Sequence, residues 1–231
     1  AMALPADSVD SLALPRDSIY RLMKGYRDVR IFRSDFQTVC DSIVAISTDS
    51  TIHLYIDPVL WNQSNQITSD VMKIYTENSK LQKAEFVGRP VMSSEIDTMT
   101  YNQVTGKLIT AYFRNNKIYR NDVDGNVQTI YYMTDDKDSS LIGLNFLETD
   151  TMRMYMGPGR KMEKIWTNKF TSTMYPMTQI PPAKYKLNNF AWFEDLRPKD
   201  KNDIFVWRGK SKGSELKNIK RHEAPLQKLT D

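Results

Sequence analysis

The sequence predicts an all-β, antiparallel fold built from repeated hairpins. Three observations carry this expectation. An internal repeat aligns Ile67–Pro90 with Val104–Val127 without a gap. Turns rich in Asn, Asp and Gly recur between short alternating segments. β-Branched and aromatic residues dominate from Tyr26 onward, with no long helical periodicity. Repetition at this spacing means stacked units, none of which can bury its own face alone.

The repeat holds a constant offset of 37 residues. Asn65-Gln66 falls on Asn102-Gln103, Tyr75 on Tyr112, Lys80 on Lys117 and Gly88 on Gly125. A third copy over Leu147–Trp166 places Tyr155 43 residues after Tyr112. A weaker early copy, Phe36–Tyr55, pairs Gln37 with Gln66 and Asp41 with Asp70. Each unit reads as strand, tight turn, strand. The turns are Thr48–Thr51, Glu77–Lys80, Arg114–Lys117 and Gly157–Gly159, whose Asn, Asp and Gly residues tolerate the positive φ of tight hairpins.

Side chains alternate across a strand, so each copy divides into two faces. One face collects Ile43 and Ala45; Met72 and Ile74; Ile109, Ala111 and Phe113; and Met152, Met154 and Met156. The other carries Lys73, Thr110 and Arg153 among its residues. A slip of one residue would exchange the faces, so the pattern also fixes register. Such an apolar face is ordinarily the core of a β-protein. A ladder of hairpins, however, makes a long narrow sheet that must close or fold over into two facing layers. The strip inside suits an elongated apolar ligand, with methionines as adaptable lining or as gap-fillers in a packed core. These ten residues are the candidate ligand-binding inner face.

Composition sets the bounds. The chain has 231 residues, 40% apolar and 26% charged, with mean hydropathy −0.53. No apolar run approaches the roughly 20 residues that cross a bilayer as a helix. Net charge is +4, and Gly209–Asp231 holds six basic against three acidic residues, leaving +1 for the rest. The charge therefore belongs to a solvated tail, and nucleic acid is not an expected partner. The expected division is a loose lead-in over 1–25, a repetitive β body over 26–208 and a basic flexible tail over 209–231. Within the lead-in, Asp17–Gly25 reads as one short helix, capped by Asp17 or Ser18 and ended by Gly25. The start, Ala1-Met2-Ala3-Leu4-Pro5, has no signal-peptide pattern and decides nothing about export.

Chemistry is sparse, and neither a catalytic set, a metal site nor a cofactor is expected. Cys40 is the single cysteine, so no intramolecular disulfide forms. His53 and His222 lie in no metal-ligand spacing. Asp122 and Asp124 point the same way on a strand, which would suit calcium or an acid pair, but Asp124-Gly125-Asn126 reads more simply as a turn. Thr134–Asp138 reads as a solvated loop.

Asn65–Asp70 (NQITSD), the alternating residues after it, the turn, and Lys83–Pro90 (KAEFVGRP) resemble the OstA/LptA repeat. YRDVRIFRSDFQTVCDS (26–42), DPVLWNQSNQIT (57–68), VDGNVQTIYY (123–132) and FAWFEDLRP (190–198) are similar to a longer OstA-like subgroup. The resemblance covers about Tyr26 to Pro198. It implies a V-shaped β-jellyroll with an elongated apolar groove, and non-catalytic carriage of lipopolysaccharide through its lipid A acyl chains toward the outer membrane. It further implies a periplasmic location and stacking with other β-jellyroll transport proteins through edge strands. The length, the 37-to-43-residue spacing, the Trp192–Pro198 segment and the tail depart from the compact family pattern. A polysaccharide-acting β-helix would use parallel coils of shorter period, against the Asn-rich hairpins. An extracytoplasmic scaffold or adhesion module without lipid carriage remains the alternative. The edge strands are expected near Val29–Phe32 and Lys164–Thr171, free for pairing or plugged by the flanking segments.

Overall fold

A computed structural model describes residues 21–206 except 49, 79, 136, 139 and 158–161. Fourteen strands in one antiparallel sheet make up the described body, with short 3-10 turns after the last strand. They are β1 (Leu22–Phe32), β2 (Gln37–Ile46), β3 (Thr51–Tyr55), β4 (Val59–Asn62), β5 (Asn65–Thr68), β6 (Val71–Glu77) and β7 (Lys80–Val87). Then follow β8 (Val91–Glu95), β9 (Tyr101–Thr105), β10 (Leu108–Arg114), β11 (Lys117–Thr134), β12 (Leu141–Met156), β13 (Met162–Thr167) and β14 (Phe170–Pro176). The all-β, antiparallel expectation holds.

The sheet folds over into two layers. In the first, β3, β6, β7 and β10 lie between one half each of β2 and β11, and β13 flanks one half of β12. In the second, β4, β5, β8, β9 and β14 pair with the other halves. Long strands thus serve both layers, and one apolar cluster between them joins Ile43, Leu54, Met72, Phe86 and Ile109 of the first layer to Ile67 and Val127 of the second.

Corners between the layers follow one backbone device. Pairs of consecutive residues adopt positive φ at Arg27-Asp28, Ile56-Asp57, Gly88-Arg89 and Gly125-Asn126. The neighbouring corner donates its N–H to them: Asp41 to the Ile56 carbonyl, Asp70 to the Val87 and Gly88 carbonyls, and Lys107 to the Asp124 and Gly125 carbonyls. Repetition of the sequence is therefore repetition of a corner as well as of a hairpin. Asp124-Gly125-Asn126 is accordingly not a hairpin turn but a bulge inside the 18-residue β11. The hairpin tips behave as the sequence predicts, with Ser50, Asn78, Asn115 and Asn116 at positive φ.

The predicted short helix is corrected where it can be followed. Leu22–Gly25 begin β1, pairing with Ile46–Ile43 of β2, because Met23 and Gly25 extend the inner rows of the first layer. Residues 17–20 and the 209–231 tail lie outside the described residues.

Gly88 (φ +77°) takes the left-handed conformation at its corner, and an added Cβ would stand 2.4 Å from an Asp70 carboxylate oxygen. Gly88→Ala should therefore lower unfolding stability by about 1–3 kcal/mol, measured by urea denaturation. Gly106→Ala involves no positive φ, but its Cβ would stand 2.8 Å from the buried Val123 side chain and 3.2 Å from the Asp124 carbonyl, so it too should lower stability, through packing.

Candidate functional site

Eight of the ten inner-face residues fall on two rows that cross the first layer from end to end. The deeper row runs Gly25, Ile43, Leu54, Met72, Phe86, Ile109, Val123, Met152, Thr167 through successive cross-strand pairs. The second runs Met23, Ala45, Ile52, Ile74, Ala84, Ala111, Asn121, Met154, Ile165. Met72, Ile109 and Met152, predicted to share one inner face, do so. Phe113 packs against the same cluster, and Met156 continues its face toward the hairpin tips.

Accessibility is graded. Met72, Ile109 and Val123 in the deeper row are 0% exposed. Ala45, Ile52 and Ile74 in the second row are half-buried, and Met23 and Ile165 at its two ends are exposed. The second layer answers with Ile31, Thr38, Leu60, Ile67, Met92, Val104, Thr129, Leu147 and Ser172 in one row. No residue of these three rows is charged.

Outward, the first layer stacks Tyr75, Lys83, Tyr112, Arg120, Tyr155 and Lys164 on successive strands. Lys83 sits 4.3 Å above the Tyr75 ring and Arg120 4.8 Å above that of Tyr112, a repeated cation–π contact. Asp122 is buried between two guanidinium groups. Arg120 Nε donates to its Oδ1 at 2.6 Å, and Arg153 Nε lies 3.3 Å from its Oδ2. Arg153 Nη1 also donates to Asp124 at 2.8 Å. Cations thus occupy the place that a calcium ion would need. Among the described residues no group of three or more His, Cys, Asp or Glu could hold a metal. Cys40 is buried, which pushes its thiol up to about 12, with the Asp41 charge adding to the shift. It is no thiolate nucleophile at neutral pH.

The sequence reasoning missed a second device on the outer face of the second layer. Gln37, Trp61, Gln66, Ser93, Gln103, Ile130 and Phe146 form one buried row there. The chain after β14 crosses this row as a strap. Gln103 donates to the Tyr185 carbonyl and accepts from the Leu187 N–H. Gln66 donates to the Ala191 carbonyl and accepts from the Phe193 N–H. Arg197 donates to the Gln37 carboxamide oxygen, and Arg30 on β1 donates to the Val206 carbonyl. Tyr101 packs against Phe190 and Trp192, while Ile180 and Leu187 cover Ile130, Leu144 and Phe146. The signal was present in the repeat, since Gln37, Gln66 and Gln103 are the glutamines it aligns.

β1 pairs only with β2, and β13 and β14 only with β12, among the described residues. The strap covers a face rather than these edges. Near them Met23, Tyr26, Ile165, Trp166, Phe170 and Met174 are exposed.

No family model matches the chain, and no curated protein matches it. Among solved structures it is similar to the crystal structure of LptH, the LptA-homologous periplasmic component of the conserved lipopolysaccharide transport device from Pseudomonas aeruginosa. The identity is 11% and the TM-score 0.40, over 59% of this chain and 100% of that one.

Removing a carboxamide that grips the strap leaves two backbone groups unpaired. Gln66→Ala and Gln103→Ala should each cost about 1–3 kcal/mol and open the strap to protease. Limited proteolysis should then cut first between 177 and 206, with the strands still resistant.

Proposed function

We propose that this chain is a non-catalytic lipid carrier whose inner face takes the acyl chains of lipopolysaccharide and passes them toward the outer membrane. The observation that carries the reading is the uncharged, largely apolar double row that runs from β1 to β13. A ligand with long hydrocarbon chains meets the same lining at every strand, so it can shift along the row without meeting a charge. The likeness of the repeats to the OstA/LptA family supports the same reading and a periplasmic location. Among the described residues β1, β13 and β14 pair on one side only, and their other sides supply N–H and C=O groups on which a similar β-jellyroll could add a strand. Exposed apolar residues beside each edge would be covered in such a stack.

A second reading is favoured by one observation, the complete burial of Met72, Ile109 and Val123. If that packing never opens, the chain is an extracytoplasmic scaffold or adhesion module without lipid carriage. Photocrosslinking from position 74 in cells separates the two: covalently attached lipopolysaccharide supports carriage, and its absence at every inner position tried supports the scaffold.

Ile74 is half-buried, so a carboxylate there can stay hydrated in the empty protein but not beside acyl chains. Ile74→Asp should weaken lipid A binding by about tenfold or more while circular dichroism keeps its β signature. Met154→Asp, in a buried setting, should cost folding as well. For stacking, sedimentation across a concentration series should reveal self-association or a complex with another β-jellyroll protein. A chain that stays monomeric with every such partner rules stacking out.

A further inference from the structure

The outer face of the first layer carries a charge pattern that lipid carriage does not use. On its paired positions from β6 to β13, eight Lys or Arg stand against four acids, Glu77, Glu85, Asp122 and Asp124. Residues 1–208 together carry only +1, so positive charge is concentrated on this face. Lys83, Arg120 and Lys164 lie in one cross-strand row, alternating with Tyr75, Tyr112 and Tyr155. Closer to the hairpin tips are Lys80, Arg114 and Lys117, all exposed. Glu85 and Asp122 sit on the corner side of Lys83 and Arg120, so the strip toward the tips is basic apart from Glu77.

Two observations set this strip apart from an ordinary solvated surface. The repeat preserves it: the offset of 37 sets Tyr75 on Tyr112, Lys80 on Lys117 and Lys83 on Arg120, and the third copy adds Tyr155 and Lys164. The core accounts for repetition on the inner face, but these side chains face away from it. The strip also holds a costly pair, because Arg114 and Lys117 stand directly opposite each other at the tip of β10 and β11. Like charges in that position destabilise a sheet. The first copy has Glu77 opposite Lys80 at the same place. A bound anion would offset the repulsion at the second tip.

Spacing indicates the partner. Lys83 on β7, Arg120 on β11 and Lys164 on β13 occupy alternate strands of the row, which sets them about 10 Å apart. Each is held over a tyrosine ring, at 4.3, 4.8 and 5.9 Å from the centroid respectively. The interval matches one disaccharide unit of an extended β-linked glycan. Among the described residues, the paired positions of this row and of the tips beside it carry only tyrosines and charged side chains between β6 and β13, with no aliphatic, Phe or Trp group to enter a bilayer. We propose that the strip binds a linear acidic polysaccharide with one carboxylate per disaccharide, laid across the strands from β7 to β13. The glycan lies on the opposite face of the layer from the apolar rows, so this site stands or falls independently of lipid carriage.

The test is calorimetric titration of the full chain with a hyaluronan decasaccharide, which has that charge repeat. The native chain should bind at low salt and weaken as salt is raised, because exposed charges are screened over about 10 Å at 0.1 M. Lys80→Gln, Lys117→Gln and Lys164→Gln combined should weaken binding about tenfold while circular dichroism stays unchanged. Lys117→Gln alone relieves the like-charge pair, so it should melt no lower than the native chain and still bind more weakly. A control with Lys169, Lys199 and Lys201 changed to Gln removes the same charge from exposed positions off the strip and should bind as the native chain does. A native chain that does not bind the glycan overturns the proposal, as does equal binding by the strip and control variants. Tighter binding to phosphatidylglycerol vesicles or to a single-stranded oligonucleotide than to the glycan overturns it in favour of a membrane or a nucleic acid.

Discussion

The corner is the constraint on which the rest of the structure depends. A strand that serves two layers has to turn through the interior edge without losing the inward direction of its apolar residues. The chain does this by setting two successive residues at positive φ and letting the facing corner bond to their carbonyls. At β1 the extra pair Arg27-Asp28 stands against Asp41 of β2; at β11 the pair Gly125-Asn126 stands against Asp150 of β12. Inserting two residues preserves the alternation, and inserting one reverses it. So Val123 and Val127 both point inward on β11, whereas β12 switches from Met152 to Leu147. The inner rows stay aligned because these insertions are matched strand by strand.

Strain follows from that device. A β-branched residue at positive φ is unfavourable, yet Ile56 has φ 62° with Asp57 at 53° beside it. Their place in the line of corners is what holds them there: the Ile56 carbonyl accepts from the Asp41 N–H. Asp57 sits near the Asp70 and Asp41 carboxylates, and partial burial raises its pKa, with Asp70 adding to the rise and Arg89 opposing it. The line of corners is thus both the hinge line between the layers and the place where strain and like charge concentrate.

The two faces of the second layer divide the work. Its inner row completes the apolar strip, while its outer row would expose Trp61, Ile130 and Phe146 without the strap. Buried glutamines solve the problem that a strap brings with it, because an irregular segment lying on a sheet has backbone groups with no ladder to join. Gln66 and Gln103 each meet one carbonyl and one N–H, which stands in for a strand pair. Among the described residues the strap crosses the second layer and reaches β1 at Val206.

By itself the sequence determined the strands, the hairpin tips, the antiparallel order and the inward face. Each follows from period-two alternation and turn chemistry, which are local. Met72, Ile109 and Met152 could be assigned together because a gap-free offset preserves their parity. Only the tertiary structure decided the rest. Leu22–Gly25 joined a strand because β2 offered a register, and Asp124–Asn126 became a bulge because β9 and β10 both needed β11 as partner. Gln37, Gln66 and Gln103 acquired a purpose from a segment 82 to 160 residues away along the chain. Such long-range contacts leave no local periodicity in the sequence, since neither partner's environment exists until both layers are in place.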